Sequence, residues 1–144
     1  MKKKIPIGIS DFKEIIERNY YYIDKSLLIK EIMDDGSKVI LLPRPRRFGK
    51  SLNMTMLKYF FEMTEEDNSK LFEGLSVWRH EAIRCLQGNY PVIYLTFKDV
   101  KFNRWEDCLA SFESIFSYLY NSKEYVLGGD VLKEKEKEYF GDIV

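Results

Sequence analysis

Residues 38–52 read Lys-Val-Ile-Leu-Leu-Pro-Arg-Pro-Arg-Arg-Phe-Gly-Lys-Ser-Leu, and this stretch restricts the possible folds most. Val39 to Leu42 is an uncharged β-branched and aliphatic run, which predicts a fully buried strand. Pro43 and Pro45 end it, because neither can donate to a sheet ladder and each pushes the residue before it away from helical backbone. Gly49-Lys50-Ser51 follows, and a helical pattern opens at Leu52 and Met54. A strand, a tight loop, Gly-Lys-Ser and a helix together predict a phosphate-binding loop. The physical reason is that N–H groups at a helix start have no intrahelical partner, and the helix dipole adds positive character there.

Each loop residue then has an expected role. Gly49 lets the backbone approach a phosphate where a Cβ would collide. Lys50 would reach the β- and γ-phosphates and is the candidate catalytic residue, while the Ser51 hydroxyl is the candidate Mg²⁺ ligand. Against the pattern G-x-x-x-x-G-K-[ST], Arg44 stands where the first glycine is expected. Arg44, Arg46 and Arg47 have two readings: a solvated basic turn, or a cluster of guanidiniums that binds phosphate beside a helix start. Phe48 is expected to pack beneath another part of the chain.

Arg44-Pro-Arg-Arg-Phe-Gly-Lys-Ser-Leu52 resembles the variant Walker A loop of the bacterial AAA-ATPase-like family, in which the Arg-Pro-Arg-Arg-Phe form is usual. Ile5-Pro-Ile-Gly-Ile-Ser-Asp-Phe12, Tyr22-Ile-Asp-Lys-Ser26 and Pro91-Val-Ile-Tyr-Leu-Thr-Phe-Lys-Asp99 carry the same resemblance in the family's order and spacing. The resemblance implies ATP and Mg²⁺ as cofactors, with Arg44, Arg46, Arg47, Phe48, Gly49, Lys50, Ser51 and Leu52 forming the nucleotide site. It also implies that Tyr22, Ile23 and Asp24 lie on the base-binding side. The bare residues offer a different reading of that segment, with Asp24 capping a helix and the tyrosines in the core. Longer family members carry a restriction-endonuclease-like nuclease domain at the C-terminus. The chain is therefore expected to be the N-terminal part of a longer ATPase module.

At 144 residues, with 45% hydrophobic and 15% aromatic content, the chain has the material for one cored domain. Its formal net charge is zero, so nothing pulls the whole molecule toward nucleic acid or anionic lipid. Basic character is local, in Lys2 to Lys4 and the loop from Arg44 to Lys50. No apolar run approaches the roughly 20 residues that span a bilayer, and the basic start lacks the apolar region of a signal peptide. A cytoplasmic location is the expectation. Cys85 and Cys108 are far apart without metal-ligand spacing and read as reduced, part-buried helix residues. His80 has no ligand-like neighbours and reads as a surface residue.

Along the chain, residues 1–37 read as a helical lead-in. Ser10 or Asp11 caps a short helix through Phe12, Ile15 and Ile16, and a second runs from Lys25 to Met33 before Asp34-Asp-Gly36. Residues 38–64 form the strand, loop and helix, with Leu52, Met56, Leu57, Phe60 and Phe61 giving an apolar face suited to packing flat on a sheet. Residues 65–144 hold a second strand, Val92 to Phe97, with flanking helices at 81–86, 104–120 and 131–139. Helices between two strands predict parallel pairing with right-handed crossovers. The fold expectation is α/β: a P-loop NTPase-like three-layer sandwich with a mainly parallel sheet, incomplete at its C-terminus.

A hydrolytic P-loop protein also needs a carboxylate at a second strand end to hold Mg²⁺ and orient water. Asp99 has that position by pattern alone. The resemblance reads it instead as a strand-end or helix-capping residue, with the family's Asp-Glu strand lying beyond residue 144. The leading expectation is nucleoside triphosphate binding with weak or no hydrolysis by this chain alone. The alternatives are a hydrolytic enzyme using Asp99, a nonenzymatic phosphate- or nucleic-acid-binding module built on the basic loop, and a ligand-free interaction domain. Self-association into a homo-oligomer is expected if an apolar sheet edge is exposed.

Overall fold

A computed structural model describes residues 2–43, 45, 47–123 and 134–143. The chain divides into two compact units, Met1–Val92 and Ile93–Val144.

The first unit is built on α1 (Phe12–Glu17), α2 (Leu27–Asp35), α3 (Lys50–Phe61) and a short α4 (Glu81–Arg84). Asp11 starts α1 by accepting the Glu14 N–H at 2.9 Å, so one of the orphan donors of the first turn is satisfied. Gly36 ends α2 in the left-handed conformation, φ 66°, which a residue without a Cβ adopts at no steric cost. Between α3 and α4 the chain makes two 3₁₀ turns, Ser69–Leu71 and Ser76–Arg79.

These elements converge on one apolar cluster. Phe12 from α1, Ile29 from α2, Met56 and Phe60 from α3, and Phe72 and Val77 from the turn region are all fully buried in it. Phe72 stacks on Phe12 at 5.1 Å and meets Phe60 edge-on at 5.1 Å, the two geometries that aromatic quadrupoles favour. Helix α3 thus buries its Met56 and Phe60 face against α1 and the turn region, where a sheet was expected.

In the second unit, α5 (Trp105–Asn121) and α6 (Glu134–Ile143) pack against each other. Phe97 meets Phe112 of α5 edge-on at 5.4 Å. No residue of α5 is buried, and Trp105 is 68% exposed, so its apolar side chains have no core beneath them within this unit. Residues 131–133 of the helix predicted at 131–139 lie outside the described residues.

The expected three-layer α/β sandwich is not what forms. Among the described residues the structure is mostly helical and contains no sheet. Its β pairing is one isolated parallel bridge, Glu62 with Tyr90, in which Met63 N–H donates to the Tyr90 carbonyl at 2.8 Å and Tyr90 N–H to the Phe61 carbonyl at 2.9 Å. Neither Val39–Leu42 nor Val92–Phe97 is a strand. A strand's hydrogen bonds come from a second segment, so aliphatic composition alone cannot form one. Val39 is 85% and Leu41 83% exposed, whereas Ile40 and Leu42 line a cavity. The alternation of a half-buried strand is present there without the partner that would complete it.

Candidate functional site

Gly49 begins α3 with φ 73°, and the helix's first own bond is the Asn53 N–H to the Gly49 carbonyl at 2.9 Å. Among the described residues no side chain caps this end. The first-turn N–H groups are therefore available to an anion, at the end of a 12-residue helix where the dipole favours one. Arg47, two residues earlier, is also left-handed at φ 67°, an uncommon state for a residue with a Cβ. Phe48 between them is 59% exposed, so it is not packed under another segment as its size suggested. Arg44 and Arg46 lie outside the described residues.

Around Gly49 there is open space. Apart from its chain neighbours, a Cβ placed on it would meet one atom within 4 Å among the described residues, the Lys25 Nζ, at 4.0 Å. Such an opening fits the close backbone approach that a bound phosphate requires. Lys50 lines a cavity of about 210 Å³ together with Ile40, Leu42, Asn53 and Met54. Asn53 is 3% exposed and lines this cavity. Ser51 is half-buried at the second helical position, and Leu52 packs against the core cluster.

The Tyr22–Asp24 segment is fixed by contacts of its own. Tyr22 O–H donates to the Met56 sulfur at 3.3 Å and its oxygen accepts the Lys25 N–H at 3.4 Å; burial pushes the phenol's pKa up. Asp24 accepts the Ser26 N–H at 2.8 Å with one oxygen and the Ser76 N–H at 2.7 Å with the other. Partial burial pushes the Asp24 carboxyl up, but the bonds from Ser26 and Ser76 outweigh it and hold the group below its ordinary value. Ser26 Oγ accepts the Val77 N–H at 3.1 Å. Asp24 and Ser26 thus clamp the start of α2 onto the second 3₁₀ turn. Ile23 is exposed. Tyr22 and Asp24 also line a second cavity of about 280 Å³ with Tyr20, Leu71 and Leu75, which shares no lining residue with the one at Lys50.

Among the described residues no group of three or more His, Cys, Asp or Glu could hold a metal ion. Asp99 lies in an exposed turn of the second unit, and Arg104 is the residue that precedes α5. Cys85 is exposed at the end of α4 and Cys108 half-buried in α5, both as free thiols. No helix of the described residues is long and apolar enough to cross a membrane. Sequence reasoning missed Lys25: it lies outside the loop, and no local pattern announces that its ammonium reaches Gly49.

A Gly-Lys-Ser turn at an uncapped helix start is the local arrangement of a Walker A-type phosphate loop. The family model described as "Predicted AAA-ATPase" matches residues 6–142, and the chain belongs to that AAA-ATPase-like family. It is 31% identical over 144 residues to a protein of Azotobacter chroococcum mcd 1 named as the uncharacterized protein in the vnfD 5′ region. That alignment covers 99% of this chain and 26% of the relative, so the chain spans about a quarter of the relative's length. No solved structure matches the chain.

Proposed function

We propose that this chain binds a nucleoside triphosphate, ATP by family, through the loop from Arg44 to Leu52. The observation that carries the reading is Gly49-Lys50-Ser51 at the uncapped start of α3, with Gly49 left-handed and open to close approach. Family membership supports ATP as the ligand class. In this reading the N–H groups of Gly49, Lys50 and Ser51 hold phosphate oxygens, and Lys50 neutralises charge on the β- and γ-phosphates. Ser51 offers its hydroxyl to Mg²⁺, which would supply charge neutralisation between phosphate oxygens when bound. Arg44, Arg46 and Arg47 add basic charge beside the loop, and Phe48 offers an exposed ring next to it. Tyr22, Ile23 and Asp24 are the candidate base-side residues.

Binding without efficient turnover is the proposed activity of these 144 residues. We read them as the N-terminal part of a longer protein, in keeping with the quarter of the relative's length that they span. Calorimetric titration of ATP with Mg²⁺ into the chain tests the reading. Saturable binding that Lys50→Ala weakens at least tenfold is expected. Binding unaffected by Lys50→Ala, or none to the folded chain, would overturn it.

A further inference from the structure

We propose that Lys25 is a second phosphate-contacting ammonium of the Gly49–Ser51 site, acting beside Lys50; the proposal rests on the phosphate-binding reading above. Lys25 Nζ lies 4.0 Å from where a Gly49 Cβ would be, and apart from Gly49 and its chain neighbours no other described atom comes within 4 Å of that position. A phosphate approaching the open backbone at Gly49 would meet this ammonium within contact or near-contact range.

The placement of Lys25 is imposed from both sides. Asp24 is tied by its two carboxylate oxygens to the N–H groups of Ser26 and Ser76, and Ser26 is tied by its hydroxyl to the N–H of Val77. The backbone of the intervening residue is therefore anchored to the second 3₁₀ turn, and its own N–H is held by the Tyr22 oxygen. Only its side chain is left to reach outward. The adjacent Asp24 carboxylate is already committed to two backbone donors, and Lys25 makes no ion pair among the described residues. Contrast Lys30, within α2, which is neutralised by Asp34 one turn on.

The two ammoniums come from different directions. Lys50 extends from α3 into the cavity shared with Ile40, Leu42 and Asn53, whereas Lys25 comes from the start of α2 to Gly49. Asn53, a buried residue that lines the same cavity, adds a polar side chain on the Lys50 side. A chain of phosphates lying across the α3 start would have a cation at Gly49 and another along Lys50. Such a site favours several linked phosphates over one, because the polyphosphate brings more negative charge to two cations.

The experiment is calorimetric titration of inorganic tripolyphosphate and of AMP into the full chain and into Lys25→Met, Lys25→Arg, Lys30→Met and Lys50→Ala. Tripolyphosphate affinity should fall roughly tenfold or more in Lys25→Met, the loss of one charged hydrogen-bond contact. Lys25→Arg should restore most of it, Lys30→Met should match the parent chain, and the weaker binding of AMP should change least. Tripolyphosphate binding that needs Lys50 but is equal in Lys25→Met and the parent would overturn the role of Lys25 alone. Equal losses in Lys25→Met and Lys30→Met would also overturn it, by showing an effect of bulk charge. No tripolyphosphate binding by the folded parent would remove the phosphate-site reading and this proposal with it.

Discussion

Thr55, one turn into the helix that leaves the Gly-Lys-Ser loop, accepts the backbone N–H of Phe12 on its hydroxyl at 3.0 Å. The bond is buried and joins the first residue of α1 to the middle of α3, across 43 positions of sequence. Tyr59, one turn further along α3, donates its O–H to the α1 cap Asp11 at 3.0 Å; burial and then the Asp11 contact push the phenol's pKa well above its ordinary value. The helix that presents the loop is thus fixed to the N-terminal segment by polar bonds from Thr55 and Tyr59 as well as by the Phe12, Met56 and Phe60 packing.

Thr55→Val keeps the shape and leaves the buried Phe12 N–H without its partner. A loss of about 1–3 kcal/mol is expected, read from urea unfolding. Thr55→Ser should retain most of the stability. Equal losses in the two variants would show that the methyl group and not the hydroxyl matters.

Gly49 and Gly141 make an opposed pair. At Gly49 the left-handed backbone, not a collision, resists a side chain, so Gly49→Ala should cost roughly 1–2 kcal/mol. Gly141 lies inside α6 with open space where a Cβ would go, so Gly141→Ala should stabilise that helix by roughly 0.5–1 kcal/mol. Thermal melts of the two variants should move in opposite directions.

Asp24 predicts a pH dependence. Its folded-state pKa is depressed because the bonds from Ser26 and Ser76 outweigh burial. The stability it contributes is therefore complete above the unfolded-state value of about 3.9 and is lost as pH falls through the lower folded-state value. Asp24→Asn should flatten that acid arm of the stability curve. It should cost about 1 kcal/mol at neutral pH, kept small by the group's exposure to solvent. Urea midpoints measured from pH 2 to 7 on both chains check the sign.

The two tryptophans report whether the apolar face of α5 is open. Trp78 is half-buried, with the Arg84 guanidinium 5.8 Å from its ring centroid, whereas Trp105 is exposed. Acrylamide should quench Trp105 freely and Trp78 weakly, so Trp105→Phe should remove the readily quenched component. Poor quenching of Trp105 would mean that its ring is covered and the apolar side of α5 is not open.

What the sequence made legible is what neighbouring residues decide among themselves. Asp11 as the α1 cap, Gly36 as the α2 stop, the periodicity of α3 and of α5, and Gly-Lys-Ser at a helix start all rest on contacts within a few positions. Val39–Leu42 and Val92–Phe97 carry strand composition, but composition expresses itself only when another segment supplies the ladder, and the described residues provide a single bridge at Glu62 and Tyr90. Phe48 was misread for a related reason: a large apolar side chain is buried only if something stands over it. Lys25 was invisible because its approach to Gly49 depends on how Asp24 and Ser26 are clamped to Ser76 and Val77, contacts that span 51 and 52 positions.

The most direct test of the account is the amide ¹H–¹⁵N spectrum of the chain during titration with ATP and Mg²⁺. The resonances of Gly49, Lys50 and Ser51 should shift most, in a saturable way, and should stay still in Lys50→Ala at the same ATP concentrations. Shifts confined to other segments, or a spectrum unmoved by ATP at concentrations well above 1 mM (the weak end of specific affinities), would contradict phosphate binding at the start of α3.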